Sequence, residues 1–457
     1  MGGLSGSLNI VLQSLLTDQG AIEATSNNIA NVNTPGYSRQ RPDLEETPPI
    51  QIGGLNFGTG VQLKQIVSLR DSILDLRVNQ ETQQQGKLQG FLGPAQEIQS
   101  FFNETTGTGL QASLTAFFNS LSQLSTSPSD LNVRQAVLSA AQNLSTSFNQ
   151  AANNLSAVQN SVNLDVTQSV NQINSLTAQI ATVNSQVSAA QAANQNPGTF
   201  IDQRQQLLNQ LSNLVDISEI NAGNGSLTIT TSNGAPLVVG GQNFQLSTQA
   251  NAATGFQDIV SQGTVITSQI TGGELAGQLQ IRDQEIPSIQ NSLDSLAFNL
   301  SSAVNAQHKA GFDLNGNAGG NLFTPLAGAT GAASQIGVAI TNPALVAASS
   351  DGTPGSNGNA NALLALQNQA LVSGQTPLDF YGNLVFKIGN DISSAQTSQQ
   401  AGGQVLNQLQ NLQGGVSNVD LNEESANLIR FQNAYNASAR VVTVINSLLD
   451  TTINMVQ

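Results

Sequence analysis

The chain has no cysteine and a single histidine, His308, in 457 residues. A disulfide framework and a thiolate metal site are therefore excluded, and one imidazole builds no metal cluster. Tryptophan is absent and charge is scarce: 9% of residues, against roughly a quarter in an average globular protein. The hydrophobic share is 39%, and Gln, Asn, Ser, Thr, Ala and Gly fill the place of the missing charge. Such a surface suits long helices packed against copies of themselves better than a solvated enzyme shell. Basic residues are scarcest, with 13 Lys and Arg against 28 Asp and Glu and a net charge of −15. Neutralising phosphates needs a basic face, so nucleic acid is not an expected partner. No run approaches the ~18 apolar residues of a membrane span, so membrane insertion is not expected. The start, MGGLSGSLNIVLQ, lacks both the basic n-region and the unbroken apolar core of a secretory signal. The expectation is a cytoplasmic protein, or one exported by a route that leaves the N-terminus uncut.

What the chain does have is regular apolar spacing at both ends. Leu8, Leu15, Ile22 and Ile29 stand seven apart, and Leu4, Val11, Asp18, Thr25 and Val32 form a second register, together a heptad seam. At the other terminus Leu421, Leu428, Tyr435, Val442, Leu449 and Val456 keep the same step, with Phe431 and Ile445 beside them. Each seam buries only one stripe, so each needs a partner: the other seam, or neighbouring copies. Ile10, Leu12, Leu16 and Tyr37 place apolar atoms off the main seam, and a helix apolar on more than one side has more than one neighbour. Asp18 opposes a closed dry dimer and would act as a register device.

Between the ends, the spacing predicts one amphipathic helix over 4–33, stopped by Asn33, Thr34, Pro35 and Gly36. Pro42, Pro48, Pro49, Gly53 and Gly54 predict an irregular linker from Pro42 to Phe57, and the alternation around Val61 and Leu63 a short strand. Helical spacing resumes after Asp71. The longest regular element lies between Asn132 and Ala193, where Val137, Leu144, Ala151 and Val158 step by seven and the row then slips by one residue to Val166, Ile173, Ile180 and Val187. Sixty helical residues make a rod of about 90 Å, hence an elongated molecule. A shorter helix is expected from Phe200 to Val215. A hairpin turning at Asn233-Gly234 then opens a β-rich insertion over 216–281. Ile286 to Ala310 reads as helix, the Gly/Asn/Ala-rich stretch to Asn359 as weak strand, and Leu363 to Leu412 as helix again. The fold class is thus mainly α with a small β-rich insertion: elongated, with the terminal helices forming a coiled-coil-like domain and a long helical-bundle middle. The expected units are 1–45 with 416–457, 46–215 with 283–415, and 216–282.

No constellation supports catalysis. His308 has no evident nucleophile or orienting carboxylate, and reads as a helix-end histidine near Lys309 and the C-terminal dipole. Asp313, Asn315 and Asn317 resemble the opening of a calcium loop, but Ala318 stands where the loop needs glycine and Thr324 where it needs glutamate. Glu423 and Glu424 are first-turn acids of the last helix, with Asp420 or Asn422 as its cap. No catalytic residue, cofactor or metal is expected.

Five stretches carry a resemblance. NIANVNTPGYSRQ (Asn28 to Gln40) and GVQLKQIVSLRDSILDLR (Gly60 to Arg77) are similar to segments shared by bacterial flagellar rod, hook and hook-associated proteins. IDQRQQLLNQLSNLVDIS (Ile201 to Ser218), NAQHKAGFDLNGNAGGNLF (Asn305 to Phe323) and LNEESANLIRFQNAYNASARVV (Leu421 to Val442) resemble one member, the flagellar hook-associated protein 1 (FlgK) family. The short insertion departs from longer members, whose additional outer domain is expected to be absent. The resemblance implies a structural subunit at the junction of hook and filament, a ring-like homo-oligomer whose terminal helices pack as an inner tube. The subunit interface would use Leu4, Leu8, Val11, Leu15, Ile22, Ile29, Val32, Leu421, Leu428, Phe431, Tyr435, Val442, Ile445 and Leu449. The family signature turn maps to Asn31, Asn33, Thr34, Pro35, Gly36, Tyr37 and Arg39, with Tyr37 and Arg39 placed to brace the corner against a neighbour. Implied partners are the chain itself, hook protein, a second junction protein (hook-associated protein 3) and a cytoplasmic export chaperone. The implied destination is the extracellular flagellum, reached unfolded through the flagellar type III apparatus. Alternatives are another axial subunit (hook, rod or flagellin-like) or a secreted coiled-coil adhesin or enzyme.

Overall fold

The computed structural model describes residues 2–52, 54–102, 109–223 and 225–456. Gly53 and the side chain of Val456 lie outside what is described. Helix α1 (Gly2–Ala30) ends three residues before the predicted stop, and Val32 already lies in the turn that follows. Gly36 adopts φ +75°, which only glycine takes without strain. The segment after it is not an irregular linker. Strand β1 (Gln40–Glu46) pairs antiparallel with β4 (Val61–Ser68), and β2 (Ile50–Ile52) with β3 (Leu55–Phe57) forms a hairpin between them. Pro42 sits opposite Ile66 within β1. A two-stranded ribbon consists only of edges, where a missing N–H is tolerated.

Helices α2 (Ser72–Phe102) and α3 (Leu110–Thr126) lead to α4 (Leu131–Ala192), which runs unbroken for 62 residues. The Asp130 carboxylate caps it, accepting from the Asn132 N–H at 2.7 Å. After α5 (Gly198–Leu214) come two small antiparallel sheets, as the hairpin signal predicted. One holds β5 (Ile217–Asn221), β6 (Leu227–Thr231), β7 (Pro236–Val239) and β8 (Gln242–Asn243) in chain order. In the other, β10 (Gln257–Ser261) lies between β9 (Leu246–Ala250) and β11 (Thr264–Val265). Helices α6 (Gly273–Gln280) and α7 (Ile286–Lys309) follow, joined by a π turn.

Two expectations fail beyond α7. The stretch 310–357 forms isolated bridges, such as Phe312 with Ser349, and a four-residue helix α8 (Ala332–Gln335), but no described strand. Its Gly/Asn/Ala sequence has no strand period; Leu322, Phe323, Ile336 and Val346 anchor it singly in an apolar core, and buried side chains satisfy its backbone: Asn305 binds Leu322 and Phe323, and Arg134 binds the carbonyl of Val346. The helix expected over 363–412 is two helices, α9 (Gly358–Ala365) and α10 (Pro377–Ser417). Pro377 can only begin a helix, and Thr376 caps it through the Asp379 N–H. The last helix is α11 (Leu421–Val456).

Two apolar cores are strung along α4. Its first half, through Leu144, Phe148, Leu155 and Val162, packs with α3, α7 and α10 around Phe117, Phe118, Leu293, Leu300 and Tyr381. Its second half, from Val166 through Ile173, Ile180 and Val187, packs with α5 and the sheets around Leu208, Leu211, Ile229 and Ile259. The one-residue slip after Val158 coincides with this change of neighbours, since one extra residue turns an apolar stripe by about 100°. Helices α1 and α11 belong to neither core.

Candidate functional site

His308 and Asp313, positions the sequence raises for chemistry, each bond backbone groups of their own chain. His308 is fully buried, not a solvated helix-end cation. Its Nδ1 lies 2.8 Å from the Gly320 carbonyl, and its Nε2 accepts from the Ala347 N–H at 2.9 Å. The ring is therefore the neutral Nδ1–H tautomer, and burial pushes its pKa down. The Asp313 carboxylate accepts the Asn315 and Asn317 N–H groups at 2.8 and 2.9 Å, a closed polar turn. No group of three or more metal-ligating side chains occurs among the described residues.

The two termini meet in one place, away from both cores. Helix α11 lies antiparallel on α1, with Ser438 at Ser14 and Glu424 at Asn28. Leu4, Leu8, Val11, Leu15, Ile22 and Ile29 on α1, and Leu428, Phe431, Val442 and Leu449 on α11, are half-buried, and Ile445 is buried. Leu421 and Tyr435 face solvent. Asp18 faces this seam; burial raises its pKa, and its buried Oδ2 has no hydrogen-bond partner among the described residues. The pair covers one stripe and leaves a second uncovered on α11, Val441, Val444, Leu448 and Met455 at helical spacing; Leu12 and Leu16 on α1 and Ile429 and Ile453 elsewhere on α11 are exposed too, with Leu16 67% and Met455 75% exposed.

At the body end of the pair the signature turn is locked from within the chain. Asn31 and Thr34 tie the turn together, Thr34 Oγ1 donating to Asn31 Oδ1 at 3.1 Å, while Asn33, Pro35 and Gly36 are exposed. Asn28, buried at the end of α1, accepts from Tyr37 Oη at 2.9 Å and the Gln40 N–H at 2.8 Å, and donates to Glu424 at 2.9 Å. Arg39 forks across the acids that open α11: its Nε lies 2.6 Å from Glu424, and its terminal nitrogens 2.5 and 3.0 Å from Glu423. Glu424 is 2% exposed. The bond to Arg39 draws the pKa of Glu423 down, while burial, with Asp202 and Glu424 nearby, pushes that of Tyr37 up to about 12. Asp420 is the α11 cap, accepting from Asn422 at 2.8 Å. Tyr37 and Arg39 thus brace the corner inside their own chain.

The turn is also docked onto the body. Asp202 on α5 accepts the Ser38 N–H at 3.0 Å and pairs with Arg70 at 3.1 Å, and Gln206 donates to the Pro35 carbonyl at 2.6 Å. A polar cleft of about 400 Å³ remains between the turn, α5 and the end of α10.

Comparison with known proteins gives this geometry its family. A model described as the flagellar hook-associated protein FlgK helical domain matches residues 95–323. Models for flagella basal body rod protein and for the C-terminal region of flagellar basal body rod FlgEFG protein match 15–37 and 413–455. Flagellar hook-associated protein 1 of Bacillus subtilis (strain 168) is 30% identical over 98% of this chain and 97% of its own. The chain belongs to the FlgK family of flagellar hook-associated proteins. Flagellar hook-associated protein 1 of Escherichia coli (strain K12) is 28% identical over 99% of this chain and its own full length. The flagellar hook junction protein FlgK from Burkholderia pseudomallei shares the fold at a TM-score of 0.67 and 20% identity, covering 75% of this chain and 100% of that one.

Within this family frame the two end models fall on the paired helices, and the helical-domain model runs from α2 through α4 and the two sheets to just past α7. The sequence marks Glu424 as a first-turn acid of the last helix and gives Asp202 no role; neither partner is visible in it. The buried carboxylates meet Arg70 and Arg39 across 132 and 385 residues of sequence. The only available signal was that each acid sits in a stretch resembling the family.

Proposed function

We propose that this flagellar protein is a structural subunit of the junction between hook and filament, and that it polymerises through α1 and α11. The observation that carries the reading is the uncovered apolar row on the terminal pair, since a lone pair leaving Leu16, Val444 and Leu448 in water asks for further helices. In this reading 1–45 with 416–457 is the polymerising unit, 46–215 with 283–415 the elongated body, and 216–282 an outer element. Neighbours are further copies in a ring, hook protein on one side and hook-associated protein 3 on the other. The chain travels unfolded through the type III apparatus, accompanied by a cytoplasmic chaperone. Ordering of the ends is completed when neighbours bury the exposed row.

The test is complementation of a strain lacking the protein, which should show hooks without filaments by electron microscopy. Val444→Asp or Leu448→Asp touches residues already exposed in the single chain, so the purified variant should melt like wild type. In cells it should be secreted but leave hooks bare. Normal filaments on both variants would overturn the reading.

A further inference from the structure

The ribbon and α11 both pack on α1 and carry their free apolar faces to the same end of it. The β1–β4 ribbon starts at Asn28, where the Gln40 N–H is held, and passes Thr17, whose hydroxyl donates to the Val61 carbonyl at 3.3 Å. It reaches Ile10, which touches Gly60, so the β2–β3 hairpin lies toward the start of α1. Helix α11 runs the same way, from Glu424 at Asn28 past Ser438 at Ser14, so its last turns lie toward that start as well.

On the hairpin, Ile50 stands opposite Phe57 and Gln51 opposite Asn56, so the two-residue period puts Ile50, Leu55 and Phe57 on one face. All three are exposed, Leu55 at 66%. On α11, Val441, Val444, Leu448 and Met455 make an exposed row at helical spacing. Charges beside the two faces are opposite. Glu46, at the base of the hairpin, and Arg440, one residue from the row, are exposed, and neither has an ion pair among the described residues. An exposed apolar two-stranded edge is a liability unless something covers it.

We propose that the β2–β3 hairpin of one copy docks on the Val441–Met455 row of a neighbouring copy, with Glu46 facing Arg440. This rests on the reading of the terminal helices as the polymerising unit. Each chain would give a hairpin and receive one, a heterologous contact that closes when the copies form a ring.

The absence of native cysteine makes the test clean. Phe57→Cys and Val444→Cys are introduced singly and together, and intact flagella are oxidised and run without reductant. The double variant should give a ladder of covalent oligomers of this chain, and the single variants none. Attached filaments without a ladder, or a cross-link to a different protein, would overturn the docking while leaving the junction role standing. Should the cysteine pair block filament growth, charge exchange decides. Glu46→Lys and Arg440→Glu should each lower the number of filamented hooks several-fold, and their combination should restore it. Singles without effect, or a double worse than either, would refute the contact.

Discussion

Lowering pH across the titration of His308 should loosen the loops that this side chain holds. The imidazole uses both nitrogens, Nδ1–H toward the Gly320 carbonyl and Nε2 toward the Ala347 N–H. Protonation would set one N–H against another and add a buried charge near the Arg134 guanidinium, which lies among the carbonyls of Pro128, Ala344 and Val346. The folded pKa is therefore depressed, first by burial. An unfolded histidine titrates near 6.5, so the contribution of neutral His308 is fully present above that value. It is lost as pH falls, by at most about 1.4 kcal/mol per unit. Because the chain has one histidine, its ring ¹⁵N resonances need no assignment. They should show the Nδ1–H tautomer, with the ring protonating only below the ordinary histidine range. Removing the ring at neutral pH leaves the buried Ala347 N–H without its partner, while the carbonyl of the exposed Gly320 can turn to water. At about 1–3 kcal/mol for the one buried group, His308→Ala should cost at least that, read as faster amide exchange over 311–320 and 346–349. Comparing wild type with His308→Gln across pH cancels the carboxylates common to both. A ring that titrates at 6.5 in the folded protein, or carries its proton on Nε2, would refute the reasoning.

Limited proteolysis of the monomer should remove roughly the first 45 and last 40 residues before cutting the middle, because the terminal pair buries few apolar side chains. Ends as resistant as α4 would contradict this. Arg39→Ala leaves Glu424 buried with only Asn28 as partner, a loss of about 3–5 kcal/mol. Cutting at the corner should accelerate by two orders of magnitude or more, since cleavage tracks the open population. Glu423→Ala removes the exposed, solvent-screened arm of the fork and should accelerate cutting far less than Arg39→Ala; equal effects of the two variants would show that burial of Glu424 does not matter. Leu15→Asp or Leu428→Asp puts a charge into the half-buried seam, costing several kcal/mol. It should open the pair and abolish incorporation at the hook while the middle keeps its melting profile; normal incorporation would remove these rows from the interface.

Helices α1, α4 and α11 were legible in the sequence because heptad spacing is local, and a helix needs only its own residues to be periodic. The hairpin at Asn233-Gly234 was legible because that dipeptide takes the backbone angles of the turn. The ribbon through Pro42 was not, because a proline rule written for central strands does not apply where both strands are edges. Nor was the breadth of the middle: the slip after Val158 was visible, but which core each half of α4 enters depends on α5, α7 and α10 arriving from far along the chain.

The heptad spacing of the ends was set by sequence alone, though Leu421 and Tyr435, which that spacing places in the seam, face solvent; the exclusion of thiol chemistry was set by composition. Tertiary structure decided the locks. Arg39 reads as a turn residue and Glu424 as a helix-start acid until the fold places them 2.6 Å apart. Asp202 and His308 likewise take their roles from partners in other elements. An amphipathic stripe repeats, so it can be read from one stretch. A buried ion pair or a two-nitrogen clamp occurs once, and its meaning lies in the partner that folding brings to it.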